Sequence, residues 1–274
     1  MTTAVDQELL SFWLALLLYL AAGVLAILAT LLGKRPAKSI AILSLAGILA
    51  HTLSLGLRWE RLGHGPFGTQ FEILSSNVWS LMVAFFLAFW RFPVLRPMAA
   101  VVLPILFMMM GWMLLADPGD NLLPATYNTV WLYIHIGFGK IFMGALLIAV
   151  GLASVILLRG SATGSRWFAS LPGNHSLDEL AYRFLAIGLV FDALMLVAGA
   201  IWAQAAWGRY WFWDPLETWS LITWLLLAVT LHVRPLFAPS HRLTAGLTWA
   251  IFIVAFVTFF GIPFVSRAPH QGVV

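Results

Sequence analysis

The sequence has no cysteine and little charge: Asp, Glu, Lys and Arg together make up 9% of its 274 residues. The missing thiols exclude disulfides, thiolate metal ligands and any thioether between this chain and a prosthetic group. The missing charge excludes an ordinary soluble domain, in which about 25% of residues are charged. What takes its place is apolar. Hydrophobic residues reach 62% and mean hydropathy is +0.94, more apolar surface than a soluble core can hide. Runs such as 12–32 and 245–265 exceed the roughly 18–20 residues that cross a bilayer as a helix. The expected fold class is an all-α integral membrane protein. The opening MTTAVDQELLSFW has no basic stretch, and no small-residue cleavage site follows the apolar run. Residues 12–32 are therefore expected to be a retained span rather than a signal peptide.

Polar breaks leave eight apolar segments, at 10–32, 40–57, 76–90, 98–115, 130–158, 183–204, 216–232 and 245–265. They predict about eight transmembrane helices in a single polytopic domain, 1–274. The longest polar connection, 159–182, is expected to carry a short surface helix, with Ser176 as N-cap and Glu179 completing a capping box. Basic residues distribute unevenly. Lys34, Arg35, Lys38, Arg91, Arg96, Arg159, Arg166, Arg183, Arg234 and Arg242 fall in the connections after segments 1, 3, 5 and 7. Arg58, Arg61, Arg209 and Arg267 fall on the other side, and Lys140 lies inside a span. The positive-inside rule makes the first set cytoplasmic and puts both termini on the outer (periplasmic) side. The pI near 9.8 then reflects topology signals, and no nucleic-acid partner is expected.

The most informative stretch lies between segments 6 and 7. Residues 202–224 hold Trp202, Trp207, Trp211, Trp213, Trp219 and Trp224, six of fourteen tryptophans, with Tyr210 and Phe212 among them. Interfacial belts use one or two such residues per helix end. The excess density suits a platform for a planar apolar ligand; belt and platform both stand on composition alone. Asp214-Pro215-Leu216-Glu217 reads as a helix start, with Asp214 at the N-cap, Pro215 at N1 and Glu217 at N3. Those two acids are expected to be caps rather than catalytic groups.

Without cysteine, histidine is the obvious metal ligand. His135 lies about one turn into span 5 from the outer side, and His270 follows span 8 on that side. His64 lies in the outer loop after span 2, His51 inside span 2, and His232 at the cytoplasmic end of span 7. His175 and His241 fall in cytoplasmic connections and are expected to be solvated. Two outer histidines with the aromatic segment between them suit a bis-imidazole haem site. Arg209, Arg58 and Arg267 are candidate partners for the propionates.

Trp207-Gly208-Arg209-Tyr210-Trp211-Phe212-Trp213-Asp214-Pro215-Leu216-Glu217-Thr218-Trp219 resembles the tryptophan-rich "WWD" signature of haem-handling membrane proteins, in its CcsA/ResC form. LRWERLGHGP (57–66) with Phe71-Glu72, WLYIH (131–135) and LDELAYR (177–183) resemble further stretches of that family in the same order. The resemblance spans about residues 40–270. It implies that the outer segment 202–219 binds haem b as cargo, with Trp207, Tyr210, Trp211, Trp213 and Asp214 as the platform. It implies His135 and His270 as external axial ligands and His232 as an intramembrane histidine on the haem path; His51 and His64 rank lower. It further implies a CcsB/ResB-type membrane partner and apocytochrome c as the other participants, in a bacterial cytoplasmic membrane.

The expected activity is haem delivery to the outer face, for attachment to the CxxCH thiols of apocytochrome c, as a subunit of a cytochrome c synthase. The alternatives are a haem exporter or chaperone without attachment chemistry, and a membrane b-type electron-transfer cytochrome. One further expectation is independent of the resemblance. Lys140 and Asp192 are the lone charges in the interiors of spans 5 and 6. At the helical rise they sit roughly 13 and 15 Å from the outer ends of those spans. Intramembrane charges are costly unless paired or facing water, so an ion pair is predicted.

Overall fold

A computed structural model of the chain describes residues 4–120 and 125–265. Every regular element among them is helical. In order these are α1 (Ala4–Leu31), α2 (Ala37–Leu62), α3 (Gln70–Arg91), a 3₁₀ turn (Pro93–Met98), α4 (Ala99–Met113), α5 (Val130–Leu158), α6 (Ala162–Trp167), α7 (Asn174–Trp207), α8 (Pro215–Phe237) and α9 (His241–Phe256). A π-helical stretch, Val257–Gly261, joins α9 to α10 (Ile262–Val265). Eight spans are long and apolar enough to cross a membrane. They match the eight apolar segments of the sequence, the fifth of them (Val130–Leu158) at both ends. The protein is a multi-pass membrane protein.

Two departures have local causes. The connection 159–182 does not hold a separate helix starting at Ser176. Helix α7 runs 34 residues from Asn174, with Gly173 as an N-cap that makes no side-chain hydrogen bond. Leu177, Ala181 and Leu185 are buried on one stripe, in phase with the span, so nothing interrupts the helix. The short surface helix is α6, capped by the Ser161 hydroxyl, which accepts the Gly164 N–H at 3.0 Å. Several spans also begin or end beyond the apolar run, because capped polar turns extend them. Thr69 opens α3 with a full capping box closed by Glu72.

The chain divides into two compact units, one of Met1–Leu122 with Leu158–Pro172 and the other of Leu123–Leu157 with Gly173–Val274. In the first, α1 packs along α2 and α4, and α3 packs on α2 and α4. Ala15, Ala22, Val78, Leu81, Met82, Val102 and Met110 are fully buried there. Gly47 lets α2 approach α1 closely: a Cβ there would sit 2.5 Å from Tyr19 Cε1. Small residues at such contacts are how membrane helices gain packing area.

In the second unit α8 packs on α7 and α9, and side chains of α5 meet α7. The Phe138 and Phe191 rings lie 5.9 Å apart, and a Cβ on Gly188 would touch Phe142 at 3.5 Å. The expected Lys140–Asp192 ion pair is not formed. Asp192 is fully buried, yet among the described residues neither of its carboxylate oxygens has a hydrogen-bond partner. The two spans are neighbours at matching depth, but the azimuth is wrong. Gly139 is the residue that meets Met195 of α7, and Lys140, one position on, is turned about 100° around the helix.

Candidate functional site

His135, in the second turn of α5, is held in one tautomer. His135 Nδ1 lies 2.9 Å from the Met195 carbonyl oxygen of α7. A carbonyl can only accept, so Nδ1 carries the proton and the lone pair resides on Nε2. Metal-bound imidazoles are commonly oriented by such a bond from the other ring nitrogen. Gly199 makes room for it: a Cβ there would stand 2.7 Å from His135 Nδ1. The imidazole also stacks on the Trp202 indole, with centroids 6.2 Å apart and planes 13° from parallel. Trp202 is fixed in turn by donating its Nε1–H to the Tyr127 carbonyl at 2.9 Å. Trp207 packs edge-on against Trp202 at 5.0 Å and Tyr127 at 5.8 Å.

The aromatic segment is built from three local pieces. Helix α7 ends at Gly208, whose φ of +79° is the left-handed cap that glycine adopts without strain. Helix α8 starts where Asp214 accepts the Glu217 N–H at 2.8 Å, with Pro215 in the first turn. Glu217 reaches back past the N-cap and accepts the Phe212 N–H at 2.7 Å. Both acids are buried and spent on holding this turn. Just before the N-cap, Trp213 takes φ +62°, a conformation that costs a bulky L-residue of order 1 kcal/mol or more. Its side chain is 68% exposed, and Tyr210 is 61% exposed. Trp211 and Trp213 meet edge to face at 83°, so the segment is not a single flat sheet.

Trp211 turns inward. With His135, Gly199, Tyr210, Glu217 and Phe259 it lines a pocket of about 50 Å³. Its buried indole N–H has no hydrogen-bond partner among the described residues. Pockets that enclose drug-sized ligands measure about 300–1,000 Å³, so a macrocycle would lie over this mouth rather than inside it.

The remaining candidates separate. Arg209 is exposed, with its guanidinium 5.1 Å from the Phe212 ring centroid. Arg58 is overturned as a propionate partner. It is buried and saturated, donating to Glu72 at 2.7 Å, to Glu8 at 2.8 Å and to the Pro118 and Gly119 carbonyls at 3.0 and 2.7 Å. His51 is fully buried in the first unit and is hydrogen-bonded to Ser75 at 2.9 Å. His64, buried as well, donates Nδ1–H to the Gly65 carbonyl. His232 is exposed on α8, with Nδ1–H donated to the Ala228 carbonyl at 2.7 Å and the lone pair again on Nε2. His241 is not simply solvated: it contacts Asp178 at 3.1 Å, beside Arg234 and Thr244. His270 and Arg267 lie outside the described residues. Sequence reasoning missed Met195 and Gly199, which act through a backbone carbonyl and a missing side chain, and Tyr127, which acts through its carbonyl and its ring. The stripe Gly188, Asp192, Met195, Gly199 at helical spacing was the available signal.

Residues 68–270 match the family described as cytochrome c assembly protein. The cytochrome c biogenesis protein CcsA of Prochlorococcus marinus strain MIT 9312 is 31% identical, over 85% of this chain and 85% of its own length. That of Guillardia theta is 30% identical over 80% of each chain. Among solved structures, the cytochrome c heme lyase CcmF aligns with a TM-score of 0.72 at 20% identity. That alignment covers all of this chain and 49% of the larger one, and it speaks to the fold alone. By its matched residues and its CcsA relatives, this chain belongs to the cytochrome c assembly family as a CcsA-type protein with a role in cytochrome c maturation.

Proposed function

We propose that the protein carries haem b to the outer membrane face and presents it there for attachment to apocytochrome c. The observation that carries this reading is the locked His135 tautomer, which leaves the ring's lone pair on Nε2 in a residue that shares one pocket with Tyr210 and Trp211 of the aromatic segment. His135 is one axial ligand, and His270 on the same side of the membrane is the other. Trp211 borders the iron, while Trp207, Tyr210, Trp213 and the Asp214 turn shape the surface under the macrocycle. Arg209, which is exposed, pairs with the propionates together with Arg267.

The orientation rests on the surplus of Lys and Arg in the connections after the odd-numbered spans, which puts both termini and the aromatic segment outside, facing the periplasm. His232 sits near the far end of α8, roughly 27 Å from Asp214 at the helical rise. Haem picked up near His232 therefore has to travel before it reaches His135. A CcsB/ResB-type partner completes the path. At the outer site each cysteine thiol of the CxxCH motif adds across a haem vinyl, its proton going to the vinyl carbon that sulfur does not take. The protein's contribution is positioning and axial ligation rather than acid–base chemistry.

The test is an absorption spectrum of the purified protein, followed by co-expression with the partner and an apocytochrome. His135→Gly is expected to lose haem or shift its spectrum, with partial recovery on adding imidazole. Covalent haem on the apocytochrome separates a synthase subunit from an exporter. Unchanged spectra in both His135→Gly and His270→Gly would end the bis-histidine reading.

A further inference from the structure

A second site lies in the first unit. The last turns of α1, the start of α2, the α3–α4 junction and α6 surround a half-open groove of about 750 Å³. These segments meet at one end of the helices, the end that the charge distribution assigns to the cytoplasm. The groove is lined by Lys34, Arg35, Arg96 and Arg166, and no acidic residue lines it. Among the described residues none of these four cations pairs with a carboxylate. Arg96 is turned by a 3.3 Å bond from Nε to the Phe89 carbonyl; Lys34, Arg35 and Arg166 are exposed. The opposite wall is apolar, with Ala26, Ala29, Ile40, Phe89 and Ala100, and Trp167, 39% exposed, stands at the rim.

We infer that this groove is a binding site for an anionic phospholipid, with the phosphate held by Lys34, Arg35 and Arg166 and acyl chain lying along the α1–α4 wall. Charge alone does not require a groove, since scattered basic residues satisfy the topology rule. What distinguishes this place is four cations, none paired with a carboxylate among the described residues, that line one cavity whose other side is hydrocarbon. The cavity is too large for a bare phosphate, and one wall is apolar. Basic pockets between transmembrane helices on this face are where headgroups with more than one phosphate bind best. The inference does not depend on the haem reading, which concerns the other unit.

Native mass spectrometry of the full chain in detergent tests it, with tetraoleoyl cardiolipin, dioleoylphosphatidylcholine and inorganic phosphate as probes. Cardiolipin is expected to remain bound under activation that strips phosphatidylcholine. Lys34→Gln with Arg35→Gln and Arg166→Gln should weaken cardiolipin retention roughly a hundredfold. Arg183→Gln with Arg242→Gln, which the charge distribution assigns to the same side and which do not line the groove, should leave it unchanged. Because removing cations can disturb topology, Ala100→Phe serves as the second variant: it fills the groove and keeps every charge, and should also abolish retention. Retention in Ala100→Phe, an equal loss in the control variant, or inorganic phosphate competing as well as the lipid would each overturn the assignment.

Discussion

His135 and Met195 are joined by a 2.9 Å hydrogen bond from an imidazole N–H to a backbone carbonyl on the facing helix. The bond needs no particular side chain at position 195, but it needs the absence of one at 199. Gly199→Ala would bring a Cβ to 2.7 Å from Nδ1 and 2.9 Å from Cε1, forcing the ring to move. Haem content is expected to fall about 10- to 100-fold in affinity, the usual cost of losing an orienting partner. Gly188→Ala meets Phe142 only at ordinary contact, 3.5 Å, and should be near neutral. Haem-to-protein ratios of the two variants check this; equal ratios would show that the ring's seat does not matter.

Trp213 separates ligand contact from membrane anchoring. Trp213→Gly removes an exposed indole from a backbone angle, φ +62°, that glycine adopts freely. Thermal stability should hold or rise by about 1 kcal/mol, while haem occupancy drops. Normal haem in this variant would reduce Trp213 to a belt residue.

Asp214→Ala removes the acceptor of the Glu217 N–H and should cost about 1 kcal/mol. Glu217→Ala releases the Phe212 N–H and should loosen the loop without shortening α8. Limited proteolysis at 209–213 is the readout, and it should increase in both.

Arg58 is a cross-link of the first unit. Arg58→Ala leaves Glu72, which is 0% exposed, without its cation, and Glu8, 2% exposed, with Arg61 alone. Stranding buried charge costs about 3–5 kcal/mol, read as a fall in unfolding temperature in detergent. A propionate role would instead predict haem loss at unchanged stability.

Asp120 gives that cluster a small acid dependence. The hydrogen bond from Arg61 holds its carboxyl below the ordinary range, against a weaker opposing effect of burial. A depressed folded-state pKa stabilises above the unfolded value, and the gain is lost as pH falls through the folded one. Below about pH 4 the wild type should therefore lose stability that Asp120→Asn never had. The effect is modest, because the side chain is 53% exposed and solvent screens it.

Local order in the chain made part of this legible. Eight apolar runs became eight spans, because lipid leaves the backbone no alternative to helix. The Asp-Pro-x-Glu start of α8 was readable because a cap involves residues three apart. The capping box at Thr69–Glu72 is equally local but was not anticipated, since the third apolar run covers only 76–90, and the second task of Glu72, holding Arg58, is tertiary.

By itself the sequence determined the membrane class, the span count and the Asp214 cap of α8, all of which depend on composition or on neighbours within one helical turn; the cap expected at Ser176 lies inside α7. Tertiary structure alone decided which partners those residues meet. Arg58, expected to be a ligand for propionates, is buried between acids on α1 and α3, separated from it by 50 and 14 positions. Lys140 and Asp192 matched in depth, which rise per residue sets, and missed in azimuth, which helix packing sets. The seat of His135 depends on a carbonyl 60 residues away and on a missing Cβ at Gly199, and neither a backbone oxygen nor an absent side chain leaves a mark in residue chemistry.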